Sequence, residues 1–212
     1  MSRDFTIGQL DVPHRALIIG ENSLSSALSS ILDTKDIVHS SCKSLDDGLP
    51  VGTTAIFHTW FPNPDQDSPQ ALAIYPQKLL EHSLASAATL TANHPTAAIV
   101  SFCFLPAMYV GTALEDHTSN LRGGVTGVTR TLCRKFGKQG LRTACVQGGL
   151  IDMPEVDGWV SEAVKTVEVP TKRWATAQEV AKFMFFLGIQ STYTTGQTMV
   201  IDGGLTSGIT GT

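Results

Sequence analysis

Short apolar runs alternate with segments of helical spacing along the whole chain. Runs typical of buried strands occupy residues 15–20, 36–40, 54–60, 97–104, 141–146 and 198–201. Between them, helices are expected over residues 23–32, 70–93, 117–135 and 176–187, with a shorter one at 159–164. Strands that alternate with helices indicate a doubly wound α/β fold, with a mostly parallel sheet flanked by helices on both faces.

Residues that start and end helices support these boundaries. Ser23 is expected to cap the first long helix, and Thr176 followed by Glu179 has the sequence of a capping box. Pro76 is expected to break the helix at 70–93, because proline lacks an amide hydrogen and its ring collides with the preceding turn. Gly140 follows the helix at 117–135, as glycine commonly does where a helix ends.

Composition narrows the classes of protein to consider. The chain is 42% apolar and 16% charged, which is typical of a globular protein, and no composition change or repeat marks a second domain within residues 1–212. A net charge of −4 disfavours nucleic acid or an anionic membrane as partner. Because no apolar run is long enough to span a membrane and residues 1–13 are polar, we expect a cytoplasmic protein.

The cysteines give no sign of a metal site or a disulfide framework. Cys42, Cys103, Cys133 and Cys145 form no C-x-x-C pair, and none lies at a metal-ligand spacing from histidine. We therefore expect reduced thiols and no bound metal.

Two long segments near the C-terminus carry a family resemblance. Residues 172–181 (KRWATAQEVA) resemble the pattern R-x-G-x-P-E-E-I/V-A, and residues 193–204 (YTTGQTMVIDGG) resemble Y-I/V-T-G-Q-x-I/L-x-V-D-G-G. Residues 127–130 and 140–142 are similar to the helix and strand that follow the same family's active-site tyrosine. The chain thus resembles the short-chain dehydrogenase/reductase family. The resemblance implies a Rossmann-type domain, and in ordinary members it implies NAD(P) and hydride transfer.

The resemblance fails at the family's glycine-rich turn, T-G-x-x-x-G-x-G, which aligns with residues 19–26 (IGENSLSS). Gly20 is retained, but Leu24 and Ser26 stand at the other glycine positions. Glu21 adds negative charge where a phosphate would lie at the helix N-terminus. Both steric and electrostatic effects are therefore expected to oppose the usual nucleotide binding.

Three further nucleotide-side motifs also differ. The family's N-N-A-G segment aligns with residues 58–61 (HTWF), so that bulky rings replace small residues. Residues 42–52 are too short for the strand and helix that would serve the adenosine end, so a truncated nucleotide-side half is expected. Met153 stands where the family has a threonine that contacts the nicotinamide amide.

The catalytic motif Y-x-x-x-K aligns with residues 118–122, which places Thr118 at the tyrosine and Arg122 at the lysine. An aliphatic hydroxyl is a far weaker acid than a phenol, whose pKa near 10 can be brought toward neutrality. The family's catalytic serine falls near Phe104 or Leu105. Ordinary hydride chemistry is therefore expected to be lost.

Candidate site residues follow from the rule that ligands of open α/β sheets bind at the carboxyl ends of the strands. The candidate catalytic residues are Arg122, His117, Tyr109 and His58. The candidate substrate-binding residues are Trp60, Cys103, Thr118, Gln147 and Met153. Plain alternatives remain open: His117 as a surface histidine, His58 as a core histidine, and Cys103 as a small buried hydrophobe.

These observations favour an enzyme that uses no cofactor, an isomerase, lyase or cyclase acting on a small apolar metabolite by acid/base catalysis. One alternative is an atypical reductase that binds NADP(H) and uses Tyr109 or His117 as proton donor. Another is a non-catalytic binding protein. The resemblance also implies a homodimer or homotetramer, and Gly123, Gly124 and Gly127 would allow close helix packing between subunits or within one.

Overall fold

The computed structural model describes residues 14–44, 48–60, 69–104, 115–157 and 169–207. The strands are β1 (Arg15–Ile19), β2 (Val38–Cys42), β3 (Ala55–His58), β4 (Ala98–Phe104), β5 (Arg142–Gly148), β6 (Ile151–Asp152), β7 (Ala175–Thr176) and β8 (Gln197–Ile201). The helices are α1 (Ser23–Thr34), α2 (Pro69–Asn93), α3 (Glu115–Phe136), α4 (Pro154–Asp157) and α5 (Ala177–Phe185). A π-helical turn, Phe186–Gln190, extends α5.

Six of these strands form one parallel sheet in the order β2-β1-β3-β4-β5-β8. The strand order reverses at β1, because β2 pairs with one side of β1 and β3 with the other. The predicted doubly wound, Rossmann-type fold is confirmed. Its nucleotide-side half is truncated as expected, since β2 is an edge strand and the described residues between β2 and β3 contain no helix.

Helices cover both faces of the sheet and enclose two apolar cores. The α1–α5 core contains Ile18 of β1 together with Leu24 and Leu28 of α1. The α2–α3 core contains Leu17 and Ile19 of β1. Alternate residues of the same strand thus enter opposite cores, as expected for a sheet buried on both faces.

The predicted break at Pro76 is wrong, because α2 continues through it from Pro69 to Asn93. The proline ring packs against α3, and a β-carbon on Gly124 would lie 2.6 Å from the Cβ and Cγ atoms of Pro76. Gly123 and Gly127 face open space. At Gly124, the small residue therefore serves the contact between α2 and α3 within one subunit.

Two other predicted boundaries shift for local reasons. The N-cap of α1 is Asn22 rather than Ser23, and Asn22 forms a reciprocal capping box with Ser25. Asp36 has a φ of 53° and makes the turn before β2, so the strand begins two residues later than predicted. The capping box of Thr176 and Glu179 is confirmed.

The helix predicted at 159–164 lies outside the described residues. None of the described helices is long and apolar enough to cross a membrane.

Candidate functional site

The chain makes a tight turn where β1 leads into α1, at the carboxyl edge of the sheet. Gly20 has a φ of +132°, and a β-carbon there would lie 2.6 Å from Oγ1 of Thr59. The amide and hydroxyl of Thr59 both donate to the main-chain oxygen of Ile19, at 2.9 and 3.1 Å. This close approach between the ends of β1 and β3 explains why the glycine at residue 20 is needed.

The N-terminus of α1 holds an anion supplied by the chain itself. The Ser23 amide donates to Oε1 of Glu155 at 2.7 Å, and the Ser23 hydroxyl donates to the same oxygen at 3.1 Å. The Ser25 amide donates to Oδ1 of the Asn22 side chain at 2.9 Å. Helix N-termini bind anions because their amides lack intrahelical partners and carry the positive end of the helix dipole. In this structure a carboxylate occupies that position.

A polar cleft of about 600 Å³ opens beside this turn, at the ends of β1 and β2. Its lining residues are Gly20, Glu21, Asn22, Ser23, Ser25, Ser26, Ser29, Ser41 and Glu155. It lies where the strand order reverses, which is the usual ligand position in open α/β sheets. We take it as the candidate ligand cleft.

The obstruction expected from Leu24 and Glu21 is not what the structure shows. Leu24 is fully buried in the α1–α5 core, because its place in the helix turns it toward the sheet and away from the cleft. Glu21 Oε2 lies 2.9 Å from Nζ of Lys43, just beyond β2, so the acidic charge has a cation beside it. Hydrogen bonding to Glu21 raises the pKa of Lys43.

Dinucleotides are common ligands at this position in doubly wound sheets, and the lining of the cleft suits them only in part. Ser26, Ser29 and Ser41 give the cleft polar side chains. At the helix N-terminus the Ser23 donors are held by Glu155, and a second anion beside that carboxylate would be repelled. The described residues, as they stand, therefore do not fit the pyrophosphate.

Several candidate residues lie together on the α2–α3 side of the sheet. Cys103 of β4 is opposite Gln147 of β5 in the parallel register. Burial raises the pKa of the Cys103 thiol to about 12, although the positive charge of nearby Arg122 opposes the shift. The thiol is therefore protonated at neutral pH, which agrees with a small buried hydrophobe rather than a nucleophile.

Tyr75 of α2 is a phenol in this region that sequence reasoning missed. Its ring stacks on Trp60, with centroids 4.0 Å apart and planes inclined by 16°. Its hydroxyl is buried and has no hydrogen-bond partner among the described residues. Burial, with smaller contributions from Cys103 and Cys145, raises its pKa, so the group is a hydrogen-bond donor and not a base.

His58 is the last residue of β3 and is fully buried. Neither ring nitrogen has a hydrogen-bond partner in the described part of the chain, and the ring meets the His82 ring edge-on at a centroid distance of 5.4 Å. Burial, then repulsion from His82, lowers the pKa of His58 to about 3. The ring is therefore uncharged at neutral pH and buried, which agrees with the core alternative, and a catalytic role for His58 stays a prediction.

The remaining candidates divide between the two faces of the sheet. Gln147 donates from Nε2 to Oγ1 of Thr126 at 3.3 Å, which ties it to α3. Met153 is buried in the α1–α5 core, on the opposite face.

Tyr109 lies outside the described residues, as do the side chains of His117 and Thr118, so their positions stay predictions. Within the described ranges no three His, Cys, Asp or Glu side chains are grouped as metal ligands.

Sequence reasoning also missed Glu155 and Lys43. Glu155 contacts Ser23, 132 positions away in the chain, and no local sequence pattern predicts a contact over such a distance. Lys43 had a usable signal, since it immediately follows the second strand of a fold in which that position contacts the nucleotide ribose.

A parallel sheet with a strand-order reversal and a polar cleft at the first helix is the architecture of the Rossmann-type class of α/β proteins. The family model for enoyl-(acyl carrier protein) reductase matches residues 80–206. The chain belongs to the short-chain dehydrogenase/reductase family, whose resemblance the sequence motifs had indicated.

Two curated relatives and one solved structure illustrate the relationship. Glucose 1-dehydrogenase of Gluconobacter oxydans is 38% identical over 90 residues, covering 40% of this chain and 34% of the relative. The 3-oxoacyl-(acyl-carrier-protein) reductase FabG of Chlamydia pneumoniae is 33% identical over 102 residues, covering 46% and 40%. The structure of ElxO with NADP bound superposes with a TM-score of 0.73 at 16% identity, covering 92% of this chain and all of that one.

The matched stretch spans well under half the length of either curated relative. At 16% identity, the similarity to the solved structure shows the fold alone.

Proposed function

We propose that this chain is a reductase of the short-chain dehydrogenase/reductase family that uses NADP(H) in preference to NAD(H). The observation that carries the proposal is Lys43, which follows β2 and pairs with Glu21 at the margin of the candidate ligand cleft. In dinucleotide-binding folds an acidic residue after the second strand hydrogen-bonds the ribose 2′-hydroxyl of NAD, whereas a basic residue accommodates the 2′-phosphate of NADP. Lysine there favours the phosphate.

Within this proposal, the Glu155 carboxylate must leave the N-terminus of α1 before the pyrophosphate of NADP(H) can bind there, and NADP(H) supplies the hydride when it is bound. The hydroxyls of Ser26, Ser29 and Ser41 would hold its adenosine end, and Lys43 would exchange Glu21 for the 2′-phosphate. Arg122, close enough to Cys103 to oppose the rise of its pKa, would bring a positive charge to the substrate side. Tyr109 or His117 would donate the proton, as expected from the sequence for an atypical NADP(H) reductase.

The nucleotide preference can be tested by titrating purified protein with NADPH and NADH in a calorimeter. We expect NADPH to bind at least about tenfold more tightly, the effect of one charge-assisted contact to phosphate. Lys43→Ala should reduce that ratio to about threefold or less, while Lys35→Ala, an exposed lysine at the C-cap of α1, should leave it unchanged. Equal binding of both nucleotides by the unaltered protein would contradict the preference.

Activity is tested separately, by following the oxidation of NADPH in the presence of a panel of ketones and imines. The relatives are named as a dehydrogenase and a reductase, and this supports a carbonyl or hydroxyl compound as the substrate class. Turnover of NADPH with any member of the panel is the expected result. Its absence, with intact nucleotide binding, would argue for a non-catalytic binding protein.

A second candidate is the nucleotide-independent isomerase, lyase or cyclase. The observation that favours it is the pair of hydrogen bonds by which Ser23, at the N-terminus of α1, already binds the Glu155 carboxylate. Acid/base work would then fall to His117 or Tyr109, with Arg122 stabilising negative charge on a small apolar substrate. This candidate predicts that neither NADPH nor NADH binds at millimolar concentration. Sub-millimolar binding of either one by the unaltered protein would exclude it.

A further inference from the structure

We infer that Glu155 is an internal plug of the nucleotide site, a carboxylate that fills the pyrophosphate position at the N-terminus of α1 until its side chain swings away. The inference rests on the proposed function for the identity of the ligand that enters. The contact itself is independent of that function, because it is made within the chain by Glu155 and Ser23.

The position that the Glu155 carboxylate occupies at the N-terminus of α1 has the hydrogen-bond donors of a phosphate site. One carboxylate oxygen accepts from both the amide and the hydroxyl of Ser23, at 2.7 and 3.1 Å. The shorter distance is typical of a hydrogen bond from an amide to an ionised oxygen. A phosphate oxygen at a helix N-terminus uses the same kind of donors. Glu155 and a pyrophosphate therefore compete for one position.

The backbone of Glu155 is held by its buried neighbours, whereas its side chain is free to rotate out of the helix terminus. Glu155 lies on α4, a single helical turn, between Met153 and Val156, which are both buried in the α1–α5 core. The Val156 amide donates to the Met153 oxygen at 2.9 Å and closes the turn. The Glu155 side chain is only half-buried. Rotation of the carboxylate out of its seat would open the helix terminus without moving these two anchors.

The seated carboxylate is also only partly satisfied. Its Oε1 atom accepts two hydrogen bonds, whereas Oε2 is buried and has no partner among the described residues. In water each carboxylate oxygen would be fully hydrogen-bonded. Hydration of the released carboxylate therefore offsets part of the free energy lost with the two hydrogen bonds from Ser23. An anion that satisfies more of its oxygens in the cleft can therefore compete with Glu155 for this position.

The deciding measurement is the thermal stability of the protein with inorganic pyrophosphate, which needs neither turnover nor NADPH. For Glu155→Ala we expect a lower Tm in buffer, because α1 loses its anion, and a rise of about 2–4 °C when millimolar pyrophosphate refills the position. The unaltered protein should shift by less than about 1 °C, the plug being in place. Sodium chloride at equal ionic strength controls for screening.

Two variants make the test specific. Glu155→Gln keeps the shape and one oxygen acceptor but removes the charge, so its response to pyrophosphate should be intermediate. Asp152→Asn removes the same charge from an exposed position on β6, outside the lining of the cleft, and leaves Glu155 in place, so it should respond like the unaltered protein. Equal shifts in the unaltered protein and both Glu155 variants, or a shift as large in Asp152→Asn, would overturn the inference.

NADPH titration of the same proteins separates this inference from the proposed function. Glu155→Ala is expected to bind NADPH at least about tenfold more tightly than the unaltered protein does. If pyrophosphate stabilises only the Glu155 variants and no protein binds NADPH, the plug stands and the proposed function fails. If NADPH binds all four proteins equally and pyrophosphate distinguishes none, the proposed function stands and the plug fails.

Discussion

Replacing Arg142 by methionine is expected to lower the free energy of unfolding by about 3–5 kcal/mol, because three main-chain oxygens lose hydrogen bonds from a charged donor at about 1.5–3 kcal/mol each, offset in part by relief of the cost of burying the cation. Arg142 opens β5 and is only 6% exposed. Its guanidinium donates to the main-chain oxygens of Leu187 at 2.6 Å, Gly188 at 2.7 Å and Thr96 at 3.2 Å. Methionine would fill similar space but leave these three oxygens without their donors.

The position of Arg142 explains why the effect should be large. Two of its three acceptors belong to the π-helical turn that ends α5, where a helix carries its partial negative charge. Desolvation lowers the pKa of Arg142 to about 10, which still leaves it charged at neutral pH. The cation therefore joins β5 to the end of α5 and to the loop before β4. A domain of this size is typically stable by 5–15 kcal/mol, so about a third of the total would be lost.

Urea denaturation followed by fluorescence or circular dichroism measures the change, at one fixed protein concentration. Arg142→Lys keeps the charge but cannot reach three acceptors with one ammonium group, so a loss between that of methionine and zero is expected. Arg130→Met, on the exposed side of α3, is the matched control and should change stability by no more than about 0.5 kcal/mol. A loss below about 1 kcal/mol in Arg142→Met would show that relaxation or water replaces the guanidinium.

The order of elements and the class of fold could be predicted because hydrophobic periodicity is a local signal. The strand at 97–104 and the helix at 117–135 differ from β4 and α3 by at most two residues at either end. The order of the strands in the sheet could not be predicted in this way, because it depends on pairings between distant segments, such as β1 with β3. Pro76 was misjudged because its cost depends on a helix–helix contact with Gly124 that sequence spacing does not contain.

The candidate site was harder to predict because it depends on which way side chains point and on contacts between distant residues. Leu24 was expected to fill the cleft, but the register of α1 buries it in the core. The group that does fill the cleft, Glu155, comes from beyond β6, and only the folded chain brings it to Ser23. Alignment with a motif could not predict either position, because one depends on the register of α1 and the other on a contact between residues 132 positions apart.

Removing the buried histidine by His58→Phe is expected to flatten the acid limb of the stability curve. The pKa of His58 is about 3 in the folded protein and near 6.5 in the unfolded chain. Above pH 6.5 the ring is neutral in both states. As the pH falls below 6.5 the unfolded chain takes up a proton that the folded protein cannot, so stability is lost toward pH 3 at up to about 1.4 kcal/mol per pH unit.

The difference between the two proteins isolates this residue, because all other titrating groups are shared. Between pH 7 and pH 5 the unaltered protein should lose about 2 kcal/mol more than His58→Phe, from the integrated proton linkage of one such group. Above pH 7.5 the difference should be constant, and it should favour the variant, since phenylalanine has no buried nitrogens to leave unpaired. Urea denaturation at half-unit pH steps provides both values. Parallel stability curves across the whole range would mean that His58 gains a proton in the folded state, through a solvent or hydrogen-bond contact that would restore it as an acid/base candidate.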